Sequence, residues 1–126
     1  MVKKVLNIED TILKHIAIKR ALNKAGIGAV DHAATGDKGL EMIDTAIKEG
    51  KPYDLVITDM HFPIYGELDD QAGLKIIEEL KRQEIDTPVV VCSSVRYNIP
   101  EAQECIYYNE KSGDIDTDIR EMLQNL

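Results

Sequence analysis

Short apolar runs rich in β-branched residues alternate with stretches of helical period from one end of the chain to the other. The runs fall at 5–8, 29–33, 55–58, 89–92 and 105–108. Alternation of this kind predicts a parallel sheet covered by helices. Val89, Val90, Val91 and Cys92 are continuously apolar, as in a strand buried on both faces. Between the first two runs, Leu13, Ile16, Ala17 and Ala21 are helically spaced, and Gly26 stands where a left-handed terminator is needed. Leu40, Ile43 and Ile47 define a second helix, ended by Gly50 and Pro52. Leu74, Ile77 and Leu80 define a third. Ile115, Ile119, Met122 and Leu126 give a last helix one apolar stripe. Two segments lack this regularity. Residues 64–72, IYGELDDQA, have no apolar period and read as an exposed loop. Residues 94–104, SVRYNIPEAQE, stand where a helix between two strands belongs, but Pro100 leaves room for a short or irregular one.

At 126 residues with 44% apolar content, the chain reads as a single domain, 1–126. Fifteen basic against 23 acidic residues give a net charge of −8, which repels phosphate polyanions and argues against direct nucleic-acid binding. Absence of Trp and a single Phe argue against a base-stacking platform. No signal-peptide core and no long apolar run is present, so the expected location is cytoplasmic, without membrane insertion. Cys92 and Cys105 lack disulfide-framework or zinc spacing and read as reduced core cysteines.

Ligands of open α/β sheets sit at the carboxyl ends of the strands. Glu9 and Asp10 follow the first run, Asp59 the third, Ser93 and Ser94 the fourth, and Lys111 stands just past the fifth. Three carboxylates brought together repel one another, which a divalent cation relieves. Oxygen ligands with open positions suit Mg²⁺. Lys111 and the Ser93 hydroxyl are then partners for an anion beside the metal. These are the parts that neutralise a phosphoryl group in transfer, with a carboxylate as the attacking oxygen. Singly, each residue has a plainer reading. Glu9 and Asp10 could cap the first helix, Ser93 could satisfy its own backbone, and Lys111 could be a solvated surface lysine. Their joint occurrence at successive strand ends favours a site.

These residues resemble the receiver domain of two-component response regulators, in the stand-alone form found in chemotaxis regulators. VLNIEDT is similar to that family's first strand with its acidic pair, and VITDMHFP to its third strand with the phosphoacceptor aspartate. PVVVCSS is similar to the fourth strand with its hydroxyl residue, and QAGLKII to the glycine opening the third helix. The resemblance implies a flavodoxin-like, doubly wound α/β fold with a five-stranded parallel sheet in the order 2-1-3-4-5. It implies that Asp59 accepts phosphate and that Mg²⁺ is held by Asp10, by Asp59, by Glu9 through water and by the backbone carbonyl of His61. It makes Ser93 and Lys111 partners of the phosphoryl group, and Ser93 with Tyr108 the switch pair. The chain departs from the family pattern where Ser112 replaces the usual proline after the lysine. It is also longer between Pro63 and Gly73 and shorter between Ser93 and Tyr108.

The expected function is that of a phosphoacceptor signalling domain. A sensor histidine kinase or a histidine phosphotransfer protein phosphorylates Asp59 with Mg²⁺, the affinity for a downstream protein partner changes, and slow autodephosphorylation resets the site. On this reading the chain is not an enzyme. His61 and Val95 flank the path of the hydrolytic water and should set the lifetime of the phosphorylated state. The alternative is a phosphorylation-independent interaction module with a vestigial acidic site. A flavin carrier would need a hydroxyl- and glycine-rich loop where Glu9, Asp10 and Thr11 stand. An Asp-x-Asp phosphohydrolase would need its two aspartates spaced differently from this adjacent pair.

Overall fold

The computed structural model describes residues 1–111 and 114–126, so the Ser112 departure lies outside the described residues. Five parallel strands form the main sheet: β1 (Lys4–Ile8), β2 (Ala29–Ala33), β3 (Leu55–Thr58), β6 (Val89–Ser93) and β7 (Glu104–Tyr107). Their order is β2-β1-β3-β6-β7, with every neighbouring pair parallel. This is the expected doubly wound order, with three of the four crossovers between the parallel strands made by helices. The reversal of strand order at β1 and β3 places the ends of those strands together.

Helices α1 (Ile12–Lys24) and α4 (Ile115–Gln124) cover one face, while α2 (Gly36–Lys48) and α3 (Ala72–Arg82) cover the other. Alternate residues of each central strand serve the two layers. Val5, Leu55, Ile57 and Val90 pack with Ile18, Leu22, Ile119 and Met122. Leu6, Ile8, Val56 and Val91 pack with Ile43, Ile76 and Leu80. Gly26 ends the first helical segment with φ +94°, as its sequence position predicts. Both cysteines are free, and burial pushes the Cys92 thiol up to about 12.

Three expectations are corrected. The segment 64–72 is not a plain loop, because β4 (Phe62–Ile64) and β5 (Glu67–Asp69) form a two-stranded antiparallel hairpin. The carboxylates hide its apolar anchor: Phe62 and Ile64 are buried in the α2/α3 layer, with Ile64 seated against Gly36. The amide of Tyr65 donates to Asp37 Oδ1 at 2.5 Å, and Asp69 pairs with Lys75, which fastens the hairpin to both helices. Secondly, residues 94–103 hold no helix, only turns and bends. Tyr97, Ile99 and Ala102 pack on the core there, doing with irregular chain what a helix face would do.

The third correction concerns α1. Leu13 and Ile16 point to solvent, whereas Lys14, His15, Ile18, Ala21 and Leu22 face the sheet. His15 is accommodated by a polar partner from β1. The side-chain amide of the fully buried Asn7 donates to Ile57 O at 2.9 Å, which turns Oδ1 toward His15 Nδ1 at 2.8 Å. Nδ1 must then carry a proton and donate it to Oδ1. His32 stacks on it with centroids 3.9 Å apart, and His32 Nε2 lies 2.7 Å from Glu9 O.

Burial, then the neighbouring His32 and Lys19, lower the His15 pKa to about 4. Between about pH 4 and 6.5 the unfolded chain therefore binds a proton that the folded protein does not. Stability on this account is fully present above about 6.5 and is lost as pH falls toward 4, by about 1–3 kcal/mol. Urea unfolding at pH 7 and pH 4.5 checks this. His15→Gln should lose less stability across that interval than the wild type, and an equal loss would contradict the assignment.

Candidate functional site

The site is assembled from strand ends. β1 runs directly into Glu9 and Asp10, and β3 into Asp59, whose amide donates to Ile8 O at 3.1 Å. That bond ties the two acidic segments together. Carboxylate oxygens of Glu9, Asp10 and Asp59 all come within 4.8 Å of one another. They differ in environment. Glu9 is fully buried, Asp59 is part-buried and Asp10 is exposed. Above them opens a cleft of about 470 Å³ lined by Asp10, Asp59, His61, Ser93, Val95 and Tyr97, with Asp70 and Gln71 of the segment joining the hairpin to α3 at its rim.

Asp59 Oδ1 accepts from the amide of Met60 at 2.7 Å, which fixes the carboxylate's orientation. Close approach of α3 supports this from behind. A Cβ on Gly73 would lie 2.3 Å from Asp59 O, and the Gly73 amide donates to Met60 O at 3.2 Å. Glu9 Oε2 accepts from the amide of Thr11 at 3.2 Å, so the helix-entry role and the site role coexist in one residue. The Ser93 hydroxyl lines the cleft and accepts from the amide of Val95 at 3.2 Å. His61 is exposed, with Nδ1 3.6 Å from Asp70 Oδ1.

The structure does not bring Lys111 into this group. Its amide donates to Asn109 Oδ1, its side chain is exposed, and it forms no ion pair among the described residues. In its place stands a residue that the sequence reading did not single out. Lys14, on the first turn of α1 and 6% exposed, has Nζ 2.9 Å from Glu9 Oε1, 3.1 Å from Asp59 Oδ2 and 2.7 Å from Cys92 O. An ammonium has three N–H donors, and here it faces three acceptors. Tyr108 lies beside it, with its ring centroid 5.6 Å from Nζ.

Electrostatics follow the burial. Desolvation raises the Glu9 pKa, and the Lys14 charge opposes that rise. For Lys14, burial favours the neutral amine, but Glu9 and Asp59 more than offset it and its pKa is raised. The charged form of Lys14 is therefore the favoured one. Glu9 Oε1 is buried, with the Lys14 ammonium at 2.9 Å as its one polar contact among the described residues. Three carboxylates stand against one ammonium. A buried carboxylate oxygen with acceptor capacity to spare, next to two more carboxylates, is a donor set that fits a hard divalent cation.

The family model for the response regulator receiver domain matches residues 5–111. This chain belongs to that family. Over 92 residues, 73% of its length, the receiver is 37% identical to a protein-glutamate methylesterase/protein-glutamine glutaminase of Archaeoglobus fulgidus, and it spans 23% of that protein. The phosphorylated cyanobacterial phytochrome response regulator RcpA superposes with a TM-score of 0.78 at 18% identity, covering 98% of this receiver and 93% of that chain. The Mn²⁺-bound form of response regulator Rcp1 gives 0.74 at 15% identity, covering 95% and 91%. At such identities the likeness is one of fold.

The receiver's site lysine escaped the sequence reading because a lysine in a helix is ordinarily a solvated residue. One signal was available. Lys14 and Ile18, and then Ala21 and Leu22, share a helix face, and this face competes with the one through Leu13 and Ile16. Choosing between them needs the partner surface, since Ile12, Leu13 and Ile16 make the solvent side as apolar as the buried one.

Proposed function

We propose that this receiver accepts a phosphoryl group on Asp59 from a phosphohistidine, donated by a sensor histidine kinase or a histidine phosphotransfer protein. The observation that carries the reading is the grouping of the Asp59 carboxylate with Glu9, Asp10 and a buried ammonium at the floor of a cleft to which Ser93 also contributes. A carboxylate oxygen of Asp59 attacks phosphorus, a P–O bond forms and the P–N bond breaks, with its electron pair left on the imidazole nitrogen. Asp59 is oriented for this by the Met60 amide. The Ser93 hydroxyl is placed to donate to a phosphoryl oxygen, and its movement, with Tyr108 beside it, alters the surface offered to a protein partner. Asp10, Asp59, Glu9 and the His61 carbonyl would hold Mg²⁺, which when bound supplies charge neutralisation for the transferring group.

Amide NMR with beryllofluoride and Mg²⁺ tests the reading. Shifts centred on Asp59, Ser93 and their neighbours are expected, because the fluoride adduct of a carboxylate mimics an aspartyl phosphate. An unchanged spectrum would favour a phosphorylation-independent interaction module on the same fold. The specific feature on that second reading's side is the ion pairing of Asp59 and Glu9 with Lys14, which satisfies much of the acidic site without a ligand.

Two further outcomes follow. Metal binding should weaken about tenfold or more in Asp10→Ala, which removes an exposed ligand facing the cleft. Glu9→Ala should weaken it less, since Glu9 is already engaged by Lys14 and the Thr11 amide. Mn²⁺ relaxation titrations give both constants, and equal affinity in wild type and Asp10→Ala would refute the ligand assignment. Val95 and His61 line the cleft mouth where water enters, and Val95 offers water no polar side-chain atom. Val95→Gln should shorten the phosphorylated lifetime several-fold, about 1 kcal/mol in barrier. Decay of radiolabelled phosphoprotein reads it, and a rate unmoved by substitutions at both positions would show that water arrives elsewhere.

A further inference from the structure

We infer that Lys14, from the first turn of α1, is the catalytic cation of this site, in the role that Lys111 has by sequence position. The inference rests on the phosphoacceptor reading of Asp59. Geometry supports it from both sides. β7 is in register with β6 through Ser93 and Tyr107, and the next amide, Tyr108, donates to Ser93 O at 2.7 Å. The chain therefore reaches the edge of the site at Tyr108, three residues before Lys111, which lies in the exposed turn beyond. From the other side, Lys14 crosses beneath the cleft and delivers Nζ to the oxygen of Asp59, to the carbonyl preceding Ser93 and to within 5.6 Å of the Tyr108 ring. Its charge thus sits where β1, β3 and β6 meet and β7 ends.

Its position also suits the reaction. Nζ is already 3.1 Å from Asp59 Oδ2, so a phosphoryl group attached to that carboxylate arrives next to the ammonium. A cation fixed and largely desolvated before the reaction needs little reorganisation as phosphoryl charge arrives. Glu9 and Cys92 O hold the ammonium when Asp59 becomes an acyl phosphate and the negative charge lies on the phosphoryl oxygens. Lys14 enters from a helix rather than from the β7 loop, and so this receiver retains a phosphate-pairing cation although its β7 loop ends differently.

The test uses the full chain and beryllofluoride with Mg²⁺. Lys14→Met should weaken beryllofluoride binding about tenfold or more, whereas Lys111→Met should stay within about twofold of wild type. Placing the charge back from the other side, in Lys14→Met combined with Tyr108→Lys, should recover most of the affinity. Because removing Lys14 leaves Glu9 and Asp59 facing each other, a companion measurement needs no variant at position 14. In wild-type protein labelled with ¹⁵N-lysine, the Nζ resonance of Lys14 should be protected from solvent exchange and should shift on adding beryllofluoride, while that of Lys111 stays fixed. A wild type that binds beryllofluoride while Lys111, not Lys14, controls affinity and shifts would overturn the inference and leave the function of Asp59 standing. A wild type that does not bind at all overturns both.

Discussion

Asp59→Asn is expected to abolish phosphoryl incorporation and the beryllofluoride response while leaving the fold in place. The chemistry needs a carboxylate oxygen, since an amide is a far weaker nucleophile and forms no acyl phosphate. The structural cost should be small. The side-chain carbonyl oxygen of the variant can still accept from the Met60 amide, which in the wild type donates to Asp59 Oδ1 at 2.7 Å, and Lys14 keeps Glu9 and Cys92 O as partners. The new side-chain NH₂ then faces Nζ, donor against donor, which costs about 1–2 kcal/mol. Incubation with a radiolabelled phosphodonor and Mg²⁺, beside a urea melt of both proteins, reads the two halves. Label retained at wild-type level in the folded variant would remove Asp59 from the role assigned to it.

Gly73→Ala should be the most damaging of the conservative substitutions. The added Cβ meets Asp59 O at 2.3 Å, Met60 Sδ at 2.9 Å and Met60 Cα at 3.1 Å, and two of these three atoms are backbone. Relief requires α3 to retreat from the β3 end, or the β3 end to move into the cleft. Either costs about 1–3 kcal/mol as overpacking, and the upper part of that range is expected because no flexible side chain can absorb the shift. It also turns the Asp59 carboxylate away from its place, so phosphoacceptance should fall together with stability. Gly28→Ala is the control, since nothing lies within 4 Å of its added Cβ, and it should remain within about 0.5 kcal/mol of wild type. Urea midpoints for the three proteins decide it, and a Gly73→Ala midpoint matching the control would show that the α3 contact is slack.

Periodicity and strand-end chemistry made the parallel sheet and the acidic cluster legible, because those depend on local pattern and on one topological rule, while the strand order came from the resemblance to receiver domains. Glu9, Asp10, Asp59 and Ser93 were all found by asking which polar residues follow apolar runs. Lys111 was chosen by the same question and lies outside the cluster, since sequence position past β7 does not say how the chain turns there. Lys14 was invisible because its importance comes from what it reaches, namely acceptors at the ends of three different strands, and no one window of sequence contains them all. The hairpin was missed for a related reason. Its strands are three residues each, its acids mask two apolar anchors, and its stability comes from Gly36, Asp37 and Lys75 on neighbouring helices.

The reach of Lys14 bears on the order of assembly. Its Cys92 acceptor is 78 residues away in the chain, and its Asp59 acceptor belongs to a strand laid down after a complete β-α unit. Such contacts carry the loop-closure entropy of the segments between them, and the one to Cys92 closes more chain than the β1-β3 pairing, so it is expected to form after local helix and after that pairing. The polar face of α1 therefore cannot be satisfied by α1 and its adjacent strands alone. Late closure by the ammonium is expected to place the free energy it contributes mainly in the barrier to unfolding rather than in the speed of folding.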